Sequence, residues 1–152
     1  WDGLLAVLMT NKTLKNLSLI DLDIGENIEQ REVLSNFILY NETLIKLNLT
    51  GNKLIKIKPL MQNLVRNCAS NIQKLVLSKN DYEIYDFNIM LETMERESLF
   101  GQRQNFKLRF IGISNCPNLY PFEFKMKKKL DEFYKQRRKV FVSYKTDEEM
   151  LV

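Results

Sequence analysis

The sequence predicts an α/β solenoid, in which short parallel strands alternate with helices. A short apolar pattern recurs four times along the 152 residues, and its copies start at Leu14, Leu44, Ile72 and Leu108. The spacings are therefore 30, 28 and 36 residues. The segments between the copies carry apolar residues four positions apart, which places them on one face of a helix. An irregular fold with a single core would have no reason to repeat at such intervals.

The second copy shows the physical meaning of the pattern. It reads L-x-x-L-x-L-x-x-N-x-L over residues 44–54. Leu47 and Leu49 are two residues apart, so they share the inward face of a short strand. Asn52 stands where the chain leaves the strand, and its amide can satisfy backbone groups that the sheet does not reach. The solvent-facing positions of this strand are Lys46, Asn48 and Thr50.

The other three copies keep the pattern with small departures. The first consists of Leu14, Leu17, Leu19, Leu22 and Ile24, the third of Ile72, Leu75, Leu77, Asn80 and Tyr82, and the fourth of Leu108, Ile111, Ile113 and Cys116. Cys is an accepted variant at the Asn position, whereas Leu22 departs from it. We expect Asn52 and Asn80 to bond equivalent backbone groups.

The connecting segments keep the same register. They end at Asn11, Asn41 and Asn67, with Leu4, Leu34 and Leu60 seven residues earlier and Leu8, Ile38 and Leu64 three residues earlier. Together with the strand pattern, this resembles the ribonuclease-inhibitor class of leucine-rich repeats over residues 1–120. The resemblance implies a right-handed βα superhelix of about four units, the first one partial, with a concave parallel sheet and convex helices. It does not imply one function, because the class serves many roles.

Residues 121–152 are predicted to form a basic C-terminal helical cap and tail. Met126, Leu130, Phe133 and Tyr134 have helical spacing, and a strand-like run follows at 140–144. Residues 121–145 hold nine Lys or Arg against three acidic residues, a net charge of +6, whereas residues 1–120 hold fourteen against thirteen. An acidic protein surface is therefore one expected partner of this helix, and a merely solubilising role is the alternative. The lysines concerned are Lys125, Lys127, Lys128, Lys129 and Lys135.

Composition favours a binding protein over an enzyme. The chain contains no histidine, which removes the usual general base and the commonest metal ligand. It has no glycine-rich phosphate-binding motif, so no cofactor is expected. A net charge of +4 is too small for a nucleic-acid footprint, and no apolar run is long enough to cross a membrane. We therefore expect no catalysis and neither nucleic acid nor membrane as a partner.

The chain is expected to be part of a longer array in a reducing compartment. Residues 4–9 look like the end of a helix whose own strand is missing, so Leu4, Leu5 and Leu8 should face apolar material outside this chain. Cys68 and Cys116 fit buried thiols better than a disulfide. A reducing compartment predicts the cytoplasm, and the resemblance to leucine-rich repeat proteins implies the cytoskeleton or a cilium as the favoured site.

Surface positions therefore carry the functional prediction. The outward strand residues form a small, polar, mildly basic face suited to an extended protein partner. We expect a scaffold or adaptor in a large hetero-oligomeric assembly. A regulator of a small GTPase, a ubiquitin-ligase substrate adaptor and an innate immune sensor remain alternatives, and contacts through the helices or through residues 96–104 remain open. The candidate binding residues are Asn16, Lys46, Asn48, Lys74, Val76, Arg109 and Phe110.

Overall fold

A computed structural model describes residues 2–67, 69–99, 107–135 and 141–144. Strands and helices alternate along these residues. The helices are α1 (Asp2–Thr10), α2 (Ile28–Tyr40), α3 (Lys58–Arg66), α4 (Ile84–Leu99) and α5 (Glu123–Lys135). The strands are β1 (Asn16–Ser18), β2 (Lys46–Asn48), β3 (Lys74–Val76), β4 (Phe110–Gly112) and β5 (Phe141–Ser143). Two short 3₁₀ segments, Ile24–Glu26 and Pro117–Phe122, follow β1 and β4.

The five strands form one parallel sheet in the order β1-β2-β3-β4-β5. The predicted α/β class and the four predicted strands are confirmed, although β4 is shorter than the segment 107–114 that the pattern indicated. The strand-like run near residue 142 forms β5, which pairs with β4 in the register Ile111–Val142. The alternation of strand and helix thus continues through α5 and β5, within the part predicted as a cap.

The core lies between the sheet and the helices. One inward column of side chains crosses the sheet at Leu17, Leu47, Leu75, Ile111 and Val142, and its last four members are at most 2% exposed. Leu49 is fully buried just beyond β2, where its N–H donates to the Val76 carbonyl at 2.8 Å. The predicted burial of Leu47 and Leu49 is confirmed, because alternate strand residues face the same side.

Asn52 and Asn80 make the equivalent backbone bonds that the repeat pattern predicted. Asn52 Nδ2 donates to the Leu19 carbonyl at 2.6 Å, and its Oδ1 accepts from the Leu22 N–H at 3.1 Å. Asn80 Nδ2 donates to the Leu49 carbonyl at 3.0 Å. Its Oδ1 accepts from the N–H groups of Asn52 and Leu54, both at 3.0 Å. Each asparagine therefore ties its own turn to the preceding one.

Leu22, Asn52, Asn80 and Cys116 occupy the same position of the repeat pattern, and the residue just before each of them adopts a left-handed backbone. The φ angles are 53° at Asp21, 70° at Gly51, 53° at Lys79 and 53° at Asn115. Glycine is needed at only one of the four turns, because a Cβ on Gly51 would overlap the Asp21 carboxylate. The four turns thus share one geometry despite their different sequences.

Asparagines also end the helices. Asn41 Oδ1 accepts from the N–H groups of Thr43 at 3.0 Å and Leu44 at 2.9 Å. Asn67 Nδ2 donates to the carbonyls of Ile38 at 2.9 Å and Asn41 at 2.6 Å. The recurring asparagines therefore satisfy backbone groups that the helices and strands leave open.

Some predictions need correction or lie outside the described residues. Leu5 is fully buried within the chain, so the expectation that it faces outside material is wrong, while Leu4 is 48% exposed and Leu8 is partly buried. Cys116 is a buried thiol, as predicted. Cys68, residues 100–106, the basic residues 137–139 and the tail 146–152 lie outside the described residues.

Tyr82 gives a first stability prediction. Its side chain is 2% exposed, and its hydroxyl has no hydrogen-bond partner. Burial, and then the charges of Cys116 and Asp86, raise the pKa of Tyr82 well above its usual range. Since an unpartnered buried hydroxyl is unfavourable, Tyr82→Phe should leave the free energy of unfolding unchanged or raise it by up to about 1 kcal/mol.

The pH dependence follows from the same raised pKa. The unfolded chain releases the tyrosine proton near pH 10, whereas the folded chain holds it at higher pH. The stability of the wild type should therefore fall as pH rises above about 10, and Tyr82→Phe should remove the part of that fall that Tyr82 causes. Urea unfolding of both proteins at several pH values would test this. A loss of stability in Tyr82→Phe near neutral pH would contradict it.

Candidate functional site

The outward side of the sheet carries the predicted binding residues. Strand pairing aligns Asn16, Lys46, Lys74, Phe110 and Phe141 in one outward row. A second row contains Ser18, Asn48, Val76, Gly112 and Ser143. Neighbouring strands of a sheet lie about 4.8 Å apart, so the rows present closely spaced side chains across the strands. We call this surface the strand face.

A shallow depression of about 270 Å³ lies on β1, β2 and β3. Five predicted residues line it together, namely Asn16, Lys46, Asn48, Lys74 and Val76. Asn48 Oδ1 accepts from the N–H of Thr50 at 3.0 Å and from its hydroxyl at 2.6 Å. Asn16 and Lys46 are exposed. The exposed amide and ammonium groups can therefore bind polar or acidic groups of a ligand laid across the strands.

The other half of the strand face is aromatic. Phe110 stacks on Phe141 with ring centroids 5.8 Å apart, and Tyr134 stacks on Phe141 at 6.3 Å. Lys74 Nζ lies 4.8 Å from the centroid of the Phe110 ring, a cation–π distance. The Tyr134 hydroxyl accepts from the Val142 N–H at 2.9 Å, which ties α5 to β5. The face thus changes from basic at β2 to aromatic at β5.

This arrangement corrects two of the predicted contacts. Phe110 is 2% exposed and Val76 is 8% exposed, so neither has much surface for a partner. Phe141, which is 41% exposed, takes the outward aromatic role instead. Sequence reasoning missed it, although residues 141–143 repeat the outward–inward alternation of the other strands. Arg109 is exposed outside the depression, and its Nη1 donates to the Leu108 carbonyl at 3.1 Å.

The basic helix has the predicted orientation. Met126, Leu130 and Phe133 are buried on one side of α5. The lysines occupy the remaining surface, with Lys125, Lys127, Lys128 and Lys135 exposed and Lys129 partly buried. This is a second surface for charged partners, separate from the depression.

A larger depression of about 470 Å³ lies between α2 and α3, on the helix side. Ile28, Leu34 and Leu60 contribute apolar surface to it, and Arg31 and Lys56 line it as well. Arg31 Nη1 donates to the Gly25 carbonyl at 2.7 Å. This hydrogen bond links α2 to the 3₁₀ segment Ile24–Glu26 that precedes it.

The acidic side chains after β1 form ion pairs. Asp23 Oδ1 and Glu26 Oε1 lie 3.1 and 2.5 Å from Lys53 Nζ. The hydrogen bonds that Lys53 Nζ donates to Glu26 and then to Asp23 raise the pKa of Lys53. Across the described ranges, no group of three or more metal-binding side chains lies together. The cluster is an exposed link between neighbouring turns.

Within the described part of the chain, no helix is both long and apolar enough to cross a membrane. Comparison with protein-family models and with curated proteins found no match.

Proposed function

We propose that this chain is a leucine-rich repeat solenoid of the ribonuclease-inhibitor-like class that serves as a non-catalytic scaffold for other proteins. The strand spacing, the shared turn geometry and the equivalent roles of Asn52 and Asn80 support this architecture. One observation carries the functional part. Residues from three strands, which are distant in sequence, line a single depression that has both polar and apolar surface.

The partner that fits this face is an extended protein segment with acidic and apolar side chains. Acidic groups would lie near Lys46, and an apolar side chain would lie against Phe141. An exposed ion pair contributes only about 0–1 kcal/mol, so affinity must come from many contacts along the strands. A parallel sheet of several repeats provides such an extended surface.

The cellular setting is a further part of the proposal. Scaffolds of this kind suit subunits of large intracellular assemblies, and we favour a cytoskeletal or ciliary one. A regulator of a small GTPase and a ubiquitin-ligase substrate adaptor are the alternatives. The identity of the proteins that the strand face captures would distinguish them.

Crosslinking from the two sides of the molecule tests which surface binds. A photoreactive residue at Asn48 samples the strand face, and one at Gln62, an exposed residue of α3, samples the helix side. Partner proteins should crosslink from Asn48 in cells and not from Gln62. The reverse result would move the binding site to the helices.

Charge reversal gives the matching affinity prediction. Lys46→Glu should weaken partner binding about tenfold or more, because it replaces attraction by repulsion of an acidic segment. Lys58→Glu makes the same charge change at an exposed side chain of α3, and it should have little effect on partner binding. Binding of the crosslinked partner to both purified variants would be measured by titration. An equal loss of affinity in both variants would show that binding depends only on the net charge of the protein.

A further inference from the structure

Three aromatic side chains are exposed where the chain enters α5. Tyr120 is 60% exposed, Phe122 37% and Phe124 85%. We call these three residues the aromatic tip. Single exposed apolar residues are common, but three within five residues concentrate exposed aromatic side chains in one short segment. We propose that the aromatic tip and the lysines that follow it dock the protein on the surface of an anionic lipid bilayer.

The packing of α5 fixes the direction of Phe124, the member of the tip that lies on this helix. Met126, Leu130 and Phe133 are buried against the rest of the chain. At 100° per residue, Phe124 and Lys128 lie on the opposite side of the helix. The helix therefore cannot turn Phe124 inward without exposing its three core residues.

Positive charge is concentrated beside the tip. Residues 123–129 contain four lysines and one acidic residue, Glu123, a net charge of +3. The other two acidic residues of α5, Asp131 and Glu132, lie further along the helix with Lys135. Each lysine near an anionic bilayer strengthens binding about fivefold, so this group suits a negative lipid surface.

The shape of the tip favours lipid over a protein partner. A depression of about 250 Å³ beside it is lined by Tyr120 and Glu123, but not by Phe122 or Phe124. Phe124 is thus a highly exposed ring outside this depression, whereas Phe122 is only 37% exposed. A protein partner would need a fitted pocket for each ring, whereas the interface of a bilayer accepts aromatic rings without one.

The proposal revises the expectation that the membrane is no partner. It concerns attachment to one surface and not a crossing of the bilayer. It shares no residue with the strand face, so each proposal can fail without the other.

Vesicle binding tests the charge and the rings separately. The purified chain is sedimented with phosphatidylcholine vesicles that contain either no anionic lipid or about 30% phosphatidylserine. We expect binding to the anionic vesicles, and much less when salt is raised from about 0.05 M to about 0.3 M. Phe124→Ala should weaken binding about fivefold or more. Lys127→Gln with Lys128→Gln should weaken it about 25-fold at low salt.

Matched controls use residues elsewhere on the surface. Tyr40→Ala removes a ring that is 58% exposed at the end of α2. Lys56→Gln with Lys58→Gln removes the same charge from exposed positions near α3. Both controls should bind vesicles nearly as the wild type does. Thermal unfolding should be unchanged in every variant, because all the replaced side chains are exposed or partly exposed.

Fluorescence distinguishes insertion from simple charge attraction. The sequence has one tryptophan, Trp1. With Trp1→Phe as background, Phe124→Trp should shift its emission to the blue on anionic vesicles, whereas Tyr40→Trp should not. Three results would overturn the proposal. The first is no preference for anionic vesicles, and the second is an equal loss of vesicle binding in the two lysine double variants. The third is unchanged vesicle binding of Phe124→Ala together with no blue shift of Phe124→Trp. The last would show that the lysines attract the protein to the vesicle by charge alone, and that the aromatic tip has no part in binding.

Discussion

Asn80→Ala should destabilise the fold strongly. The side chain is fully buried and bonds five backbone groups, three as donor and two as acceptor. The alanine variant leaves these groups without their partner, and each buried polar group left unsatisfied costs about 1–3 kcal/mol. Because some carbonyls keep other bonds, we expect a total loss of about 3–5 kcal/mol in the free energy of unfolding. Urea denaturation measures this loss.

Two further variants separate the bonds from the mere loss of an asparagine. Asn118→Ala removes an exposed asparagine that makes one bond, at 3.1 Å to the Asp81 carbonyl, and should cost less than about 1 kcal/mol. Asn80→Cys should fall between the two, because Cys116 occupies the equivalent position. Cys116 Sγ lies 3.8 Å from the Leu77 carbonyl and 3.7 Å from that of Ser114. A similar stability of Asn80→Ala and Asn118→Ala would refute the role given to the buried amide.

The core and the turns follow from the sequence because their determinants are local. Leu47, Leu49 and Asn52 lie within six residues. Their counterparts in the third copy of the pattern make the same kinds of contact. Period-two alternation fixes which side chains point inward, and the spacing of the copies fixes the strand register. The predicted parallel strands at Leu17, Leu47, Leu75 and Ile111 are therefore confirmed.

The burial of Phe110 and the role of Asp86 were not predicted, because they depend on contacts between residues that are distant in the sequence. Phe110 occupies an outward position, but Phe141, 31 residues later, stacks against it. The burial of Phe110 thus required knowing that residues 141–143 form a fifth strand. A three-residue strand is too short for its alternation to stand out. Asp86 was also missed, although it is buried and accepts from the N–H groups of Ile57 and Glu83.

Phe124 was missed for a different reason. An apolar residue at the start of an amphipathic segment is easily counted with the core. Its angular position was available from the sequence, because it lies opposite Met126, Leu130 and Phe133 at 100° per residue. Its 85% exposure is the observation that separates it from those three. The strand pairing aligns the predicted strand-face residues in two rows, but Val76 and Phe110 are buried and Arg109 lies outside the depression.

Leu49→Ala should destabilise the protein by about 2–5 kcal/mol, because it removes apolar contacts and leaves a cavity. Leu49 has no exposed surface. It directly follows β2, which pairs with β1 on one side and with β3 on the other. Leu22→Ala is the matched control, since it makes the same chemical change at a side chain that is 47% exposed. It should cost less than about 1 kcal/mol. Thermal and urea unfolding measure both losses. Amide hydrogen exchange should show the lost protection in Leu49→Ala mainly at β1, β2 and β3, because β2 pairs with both of the other strands. If Leu49→Ala unfolded like the wild type, the assignment of Leu49 to the core of the second repeat would be wrong.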